Sequence, residues 1–101
     1  MIYISENELK IVLDIIKRLC PKCRMLAFGS RYNGKNKEYS DLDLAIEGAE
    51  KIPFEEMSKI KDAFEESDLN FSVDIIDLNG ISKEFKEIVM GGNEEIYNGM
   101  K

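Results

Sequence analysis

Histidine is absent from this chain of 101 residues, and cysteine occurs only twice. Cys20 and Cys23 stand in the run CPKC, a spacing that occurs in zinc sites and in redox pairs. A zinc site needs two further ligands, and the chain has no histidine and no third cysteine to supply them. A thioredoxin-like redox pair should follow a strand and open a helix, whereas this one follows a helical pattern. We therefore expect two reduced cysteines in a turn between a helix and a strand.

Long hydrophobic runs are also missing. No apolar run approaches the roughly 20 residues that a membrane-spanning helix needs. The N-terminal run MIYISENELK has no basic stretch followed by an apolar core, so it does not resemble a signal peptide. These absences predict a cytoplasmic protein without membrane contacts, and the chain length predicts one domain over residues 1–101.

Positive charge is in deficit, with 14 Lys and Arg residues against 20 Asp and Glu residues and a net charge of −6. A protein that grips a polynucleotide needs a basic surface to displace counterions. We therefore expect neither DNA nor RNA as the main substrate. A nucleoside triphosphate is compatible with the acidic balance, because bound magnesium can neutralise its phosphates.

Hydrophobic spacing divides the chain into three helices and three strands. Apolar residues at helical spacing predict a first helix from Glu6 to Leu19, preceded by a capping box of Ser5 and Glu8. Short apolar runs predict strands in RMLAFG, SDLDLAIEG and NFSVDIIDL. Further helices follow Pro53 and Ser82. This order predicts an α/β (α+β) fold in which a small mixed β-sheet carries helices packed on one face.

Two smaller predictions concern the helix after Pro53 and the C-terminus. The apolar stripe of that helix is expected to contain Phe54, Met57, Ile60, the stem of Lys61 and Phe64. The C-terminal run EEIYNGMK is interpreted as a short extended or turn-like tail. We expect its Ile96 and Tyr97 to pack on the core of the domain.

Three aspartates fall on one face of the predicted sheet. Asp41 and Asp43 are two positions apart on a strand, so their side chains emerge on the same side. Asp74 stands within a different and largely apolar strand, where an aspartate is rare unless it is paired or bound to a metal. If the two strands are neighbours, the carboxylates converge, and a hard divalent cation such as magnesium offsets their repulsion. A solvated strand end is the alternative interpretation of an isolated Asp-X-Asp pair.

The Gly29-Ser30 pair provides a complementary feature upstream of these aspartates. A Gly-Ser turn that ends a strand and leads into a helical turn exposes backbone N–H groups and a hydroxyl to an anion. Arg31 adds a charged side chain that can contact phosphate. A phosphate site beside a carboxylate cluster is what two-metal phosphoryl or nucleotidyl transfer requires.

The stretch AFGSRYNGKNKEYSDLDLAI resembles the minimal nucleotidyltransferases of bacteria and archaea, within the DNA polymerase beta-like nucleotidyltransferase superfamily. The shared pattern is Gly-Ser, ten residues and Asp-X-Asp, followed by a third aspartate on a later strand, and it covers nearly the whole chain. The resemblance implies a triphosphate site for ATP at Gly29, Ser30 and Arg31. It also implies two Mg²⁺ ions bound by the catalytic residues Asp41, Asp43 and Asp74. Asp74 would in addition draw the proton from the attacking hydroxyl.

One departure from the family pattern follows Arg31. Many relatives carry a small residue and a second arginine there, whereas this chain has Tyr32 and Asn33. The second basic contact with phosphate is therefore not matched at these positions, and Lys35 and Lys37 are the candidate substitutes.

The resemblance also implies a partner. Minimal nucleotidyltransferases are encoded beside a helical HEPN protein, often a ribonuclease toxin, and they act as its antitoxin. Some members adenylylate a tyrosine of that toxin, which implies transfer of AMP from ATP to a partner hydroxyl in this case. Two alternatives stay open: a non-catalytic antitoxin that masks its partner by contact alone, and nucleotidyl transfer to a small molecule such as an aminoglycoside with the help of a partner subunit.

Overall fold

A computed structural model describes residues 2–35 and 40–100. Helices and strands alternate along these residues, and the three predicted helices and three predicted strands are all present. In chain order the elements are α1 (Glu6–Leu19), β1 (Arg24–Phe28), α2 (Ser30–Asn33), β2 (Leu42–Glu47), α3 (Phe54–Glu65), β3 (Val73–Asp77), α4 (Lys83–Met90) and β4 (Glu94–Asn98).

Local hydrogen bonds fix where the first and last helices, α1 and α4, begin. The Ser5 hydroxyl accepts from the Glu8 N–H at 3.1 Å, and the Glu8 carboxylate accepts from the Ser5 N–H at 2.7 Å, which confirms the predicted capping box. Ser82 caps α4 by accepting from the Phe85 N–H at 3.1 Å. None of the helices formed by the described residues is both long enough and apolar enough to traverse a bilayer.

The strands form one mixed sheet in the order β3-β2-β1-β4. Strand β1 pairs antiparallel with β2 on one side and with β4 on the other. Strand β3 runs parallel to β2, because α3 crosses over between them and returns the chain to the same end of the sheet. Strands β1 and β2 therefore occupy the centre of the sheet, where their middle residues are buried on both faces.

The two faces of the sheet carry separate cores. Helices α1 and α3 cover the first face, which receives alternate residues of β2, among them Leu42, Leu44 and Ile46. The second face has a smaller cluster in which Val89 of α4 packs with Leu26 and other residues. The predicted α/β fold with a mixed sheet is confirmed. Its helices do not all lie on one face, however, because the apolar side of α4 has a partner only on the second.

The C-terminal run forms a strand, where a tail was predicted. Residues of β4 pair with β1, with Met25 opposite Tyr97. Ile96 and Tyr97 pack against the main core as expected, and the Tyr97 hydroxyl donates to the Pro21 carbonyl at 2.6 Å. The pairing arises because β1 is a central strand, whose second edge needs hydrogen-bond partners.

Two further predictions are wrong. Phe54 does not join the apolar stripe of α3, because it lies at the first position of the helix, where its side chain is 84% exposed. Cys20 and Cys23 are joined by a disulfide and are not two reduced thiols. The turn between α1 and β1 brings their Cα atoms to 5.6 Å, a separation that a disulfide can span.

Candidate active site

Asp43 and Asp74 occupy matching positions on neighbouring parallel strands. The register of β2 and β3 places them directly opposite one another. Two positions further on, Ala45 is buried in the cluster on the second face, and Ile76 packs against that cluster. Because side chains two positions apart share a face, both aspartates also project from the second face. Adjacent strands are about 4.8 Å apart, so the two carboxylates are immediate neighbours.

Asp41 joins this pair from the residue just before β2, where it is exposed to solvent. Burial raises the pKa of the Asp43 carboxyl above its ordinary value, and the negative charges of Asp74 and Asp41 raise that pKa further. Asp74 and Asp41 are therefore both close enough to Asp43 to act on it electrostatically. The structure places Asp43 at the centre of the group, with Asp74 beside it.

The donor chemistry of this group fits a divalent cation. Carboxylate oxygens are the ligands that magnesium prefers, and a bound cation would offset the burial and the repulsion that together raise the pKa of Asp43. Among residues 2–35 and 40–100, no three metal-ligating side chains are oriented so that they could bind the same ion. Shared coordination by Asp41, Asp43 and Asp74 therefore requires these side chains to turn toward a common centre.

Gly29 brings the backbone of the preceding strand against this carboxylate group. It follows Phe28, which pairs with Asp43 across β1 and β2. Its φ of 75° and ψ of −156° lie in a region that residues with a side chain rarely adopt. A Cβ placed on Gly29 would overlap the Oδ2 atom of Asp43 and lie 3.0 Å from its Cγ. Only glycine therefore permits this close approach.

Ser30 begins the one-turn helix α2 next to Gly29. The Tyr32 and Asn33 N–H groups donate to the Gly29 carbonyl at 3.1 and 3.0 Å, which curls the backbone directly after the turn. Backbone N–H groups and a hydroxyl at such a turn suit an anion. Lys35, one of two candidates for a second basic contact, is exposed just beyond α2. Lys37, the other candidate, lies outside the described residues.

Arg31 lies inside the protein, with only 5% of its surface exposed. Its Nε donates to the Ser40 carbonyl at 2.9 Å, and its Nη1 donates to the Tyr3 carbonyl at 3.0 Å. The guanidinium carbon lies 4.1 Å from the centre of the Phe71 ring. The predicted contact between Arg31 and phosphate stays a prediction. Sequence reasoning missed Tyr3 and Phe71 as its partners, because no local pattern links residues so far apart in the chain.

A groove of about 620 Å³ lies beside Asp74, between α3 and the outer edge of β3. Lys61, Phe64 and Glu65 of α3 form one wall, and residues 69–75 form the other. Within the part of the chain that the structure describes, no strand pairs with this edge of β3. The groove therefore offers a route from solvent to the carboxylate group.

Asp77, a second carboxylate on β3, belongs to the fold and not to this group. Its Oδ2 accepts from the Ile52 N–H at 2.7 Å, and its Oδ1 accepts from the Asn79 N–H at 2.9 Å. These bonds fasten the chain before α3 to the turn after β3. Asp77 lies three positions after Asp74 and opposite Ile46, which is buried in the larger core, so the side chains of Asp77 and Asp74 project from opposite faces of the sheet.

Known proteins share both the sequence and the fold. The family model described as polymerase beta, nucleotidyltransferase matches residues 7–100. A probable protein adenylyltransferase MntA from Haemophilus influenzae is 46% identical over 86 residues, which are 85% of this chain and 75% of that protein. A toxin-antitoxin complex with AMP-PNP contains a chain of TM-score 0.77 and 21% identity, over 89% of this chain and 73% of that one.

A second solved structure comes from Shewanella oneidensis, a tri-AMPylated HEPN toxin in complex with an MNT antitoxin. It matches with a TM-score of 0.65 and 19% identity, over 94% of this chain and 73% of that one. At these identities the structural matches establish the fold, while the family model and the MntA relative confirm the resemblance that the sequence showed. The chain is therefore a nucleotidyltransferase enzyme, and it belongs to the polymerase beta nucleotidyltransferase family.

Proposed function

We propose that this enzyme transfers AMP from ATP to a tyrosine hydroxyl of a HEPN-type toxin and thereby acts as its antitoxin. The observation that carries the proposal is the position of Asp43, which has Asp74 on one side and the Gly29 backbone on the other. The relative from Haemophilus influenzae is named a protein adenylyltransferase, and the Shewanella oneidensis complex holds an AMPylated HEPN toxin. Both findings support ATP as the donor and a HEPN protein as the acceptor.

Metal binding in this proposal falls to Asp41, Asp43 and Asp74. These residues would hold two magnesium ions, which would supply neutralising charge at the triphosphate and make the acceptor hydroxyl more acidic. A cation would favour the charged form of Asp43, which burial and its two acidic neighbours disfavour. Manganese prefers the same oxygen ligands and would serve as a probe of the site.

The triphosphate binds at the turn formed by Gly29 and Ser30. Because Gly29 has no side chain, the phosphates can approach the backbone beside Asp43. The Ser30 hydroxyl donates a hydrogen bond to a phosphate oxygen. These contacts orient the α-phosphorus without any covalent intermediate, so catalysis depends on positioning and on charge compensation.

The acceptor hydroxyl enters from the side of the site opposite the triphosphate. The sheet order places the Gly29 turn at the end of β1 and Asp74 on β3, with Asp43 on β2 between them. In-line displacement needs the attacking oxygen opposite the departing pyrophosphate. The acceptor oxygen forms a bond to the α-phosphorus, the bond from that phosphorus to the bridging oxygen of pyrophosphate breaks, and Asp74 accepts the hydroxyl proton. The groove beside Asp74 gives a partner side chain access to this position.

A transfer assay tests the proposal directly. The purified protein is incubated with the HEPN protein encoded beside it, magnesium and ATP labelled at the α-phosphate. We expect the label to enter the HEPN protein and to be lost on Tyr→Phe substitution of the acceptor. Asp43→Asn should lower the rate by about 10²- to 10³-fold, a loss typical of removing a charged group that stabilises the transition state. Asp14→Asn, the same change on the exposed side of α1, is the matched control.

Other outcomes of this assay would contradict the proposal. An Asp43→Asn protein that still neutralises the toxin would show inhibition by contact alone. Label that enters small acceptors such as aminoglycosides, but not the HEPN protein, would show a small-molecule transferase.

The predicted cytoplasmic location stays a prediction, and it suits a reaction that consumes ATP.

A further inference from the structure

Arg31 links three segments that are distant in sequence. Its guanidinium donates to the carbonyl of Tyr3 in the N-terminal segment and to that of Ser40, the residue just before Asp41. It also stacks on Phe71, three residues before Asp74. Its own carbonyl accepts from the Tyr3 N–H at 2.7 Å, so the N-terminal segment is held from both sides.

These contacts converge where β2 and β3 begin. The Leu42 N–H donates to the Ser72 carbonyl at 2.9 Å, which makes this bond the first link between the two strands. Arg31 holds the residue two positions before Leu42 and the ring of Phe71, the residue before Ser72. It therefore acts on both strands at the ends that lead into the aspartates.

We propose that Arg31 is a positioning residue, which fixes the carboxylates of β2 and β3 relative to the Gly-Ser turn and does not bind phosphate itself. The inference rests on the proposed function, because it assigns Arg31 to the same site. Arg31 follows Ser30 directly, so one side chain connects the triphosphate side of the site to the aspartates. A buried guanidinium suits this role, since its planar fork can donate to two carbonyls and stack on a ring at the same time.

Lysine discriminates between positioning and phosphate binding. A lysine binds phosphate well as a point charge, so Arg31→Lys would retain much of the ATP affinity if the residue contacted phosphate. An ammonium group cannot reproduce the stacked fork, so the same variant would fail in a positioning role. Arg18→Lys, on the exposed side of α1, is the matched control.

The experiment measures amide hydrogen exchange at Leu42 and Mn²⁺ affinity without nucleotide, in the wild type, Arg31→Lys and Arg31→Gln. We expect exchange at Leu42 to accelerate about tenfold or more relative to the core amide of Leu44, with Mn²⁺ affinity reduced about tenfold in both variants. If Arg31→Gln fails to fold, Arg31→Lys provides the same readouts, and so does Phe71→Leu, which removes the aromatic ring beneath the guanidinium but keeps an apolar side chain in the core.

Three results would overturn the inference. Normal Mn²⁺ affinity with weakened ATP binding in Arg31→Gln, restored by lysine, would identify a phosphate ligand. A lower melting temperature with unchanged Leu42 exchange and Mn²⁺ affinity would identify a purely structural arginine. Unchanged values throughout would show no role. Because exchange at Leu42 requires neither ATP nor an acceptor, it separates this inference from the proposed function, which fails if wild-type protein does not label the HEPN partner.

Discussion

The two faces of the sheet differ in how much apolar surface covers them. Among the described residues, sixteen buried residues form the cluster under α1 and α3, whereas four form the cluster under α4. The same strand serves both faces, because Leu44 of β2 is fully buried in the larger cluster while its neighbour Asp43 projects from the other face. The larger cluster stabilises the sheet, and the lightly covered face leaves room for charged groups and substrate.

Truncation in the larger core should have the greatest effect on stability. Leu44→Ala removes a side chain with no exposed surface from this cluster. We expect it to lower the free energy of unfolding by about 3 kcal/mol or more, because the surrounding side chains cannot fully collapse into the cavity. Urea denaturation measures the change. Leu78→Ala is the matched substitution in the smaller cluster, and an equal or larger loss there would contradict the difference between the faces.

A methyl group at Gly29 should have the next largest effect. Gly29→Ala forces a side chain into a backbone conformation with positive φ and pushes against the Asp43 carboxylate. We expect a loss of about 1–3 kcal/mol in unfolding free energy and a loss of the proposed AMP transfer. Gly80→Ala is the control, because the added Cβ would meet its nearest neighbour at an ordinary 3.4 Å. Full activity in Gly29→Ala would show that the close approach of this turn to Asp43 is unnecessary.

The negative charge on Asp43 should lower the free energy of unfolding by less than the Gly29→Ala substitution does. Its pKa is raised in the folded state, so the folded protein binds this proton more tightly than the unfolded chain. Without metal, the contribution of Asp43 to stability is therefore lost as the pH rises through the raised pKa. We expect Asp43→Asn to be more stable than the wild type at pH 7 in chelator, with a difference that shrinks at acidic pH. Added Mg²⁺ should stabilise only the wild type, and stabilisation of both proteins would contradict the metal site.

Substitution at the exposed start of α3 should have the smallest effect. Phe54 is 84% exposed and adds little to the larger core, although its helix packs there. We expect Phe54→Ala to change the unfolding free energy by no more than about 0.5 kcal/mol. Met57→Ala, one turn later on the buried side, is the comparison. A loss from Phe54→Ala as large as that from Met57→Ala would mean that the first face extends beyond its apparent boundary.

Local patterns in the sequence predicted most of the fold. The first helix ends where its periodicity ends, and the short apolar runs marked strands β1, β2 and β3. Strand β4 was missed because its own pattern is weak. It is stabilised by pairing with the edge of β1 that β2 does not occupy. A strand buried on both faces needs neighbours on both sides, and this requirement was the available signal for another strand.

The site was predictable only in part, for a related reason. Spacing placed Asp41 and Asp43 together, but the register that sets Asp74 opposite Asp43 depends on the parallel crossover through α3. The surroundings of Arg31 depend on contacts with Tyr3 and Phe71, which lie 28 and 40 positions away in the chain. No local sequence pattern encodes such contacts. A conspicuous arginine beside a phosphate motif therefore predicted a ligand contact, whereas its geometry suggests a structural connection.

The alternation along β2 couples correct folding of the core to correct placement of the aspartates. A slip of one residue in its pairing would turn the leucines outward and force the aspartates into the larger core, so such a chain would not fold stably. Correct burial of the leucines and correct presentation of the acidic side chains are thus a single event. Every stably folded copy therefore already has Asp43 and Asp74 on the second face of the sheet.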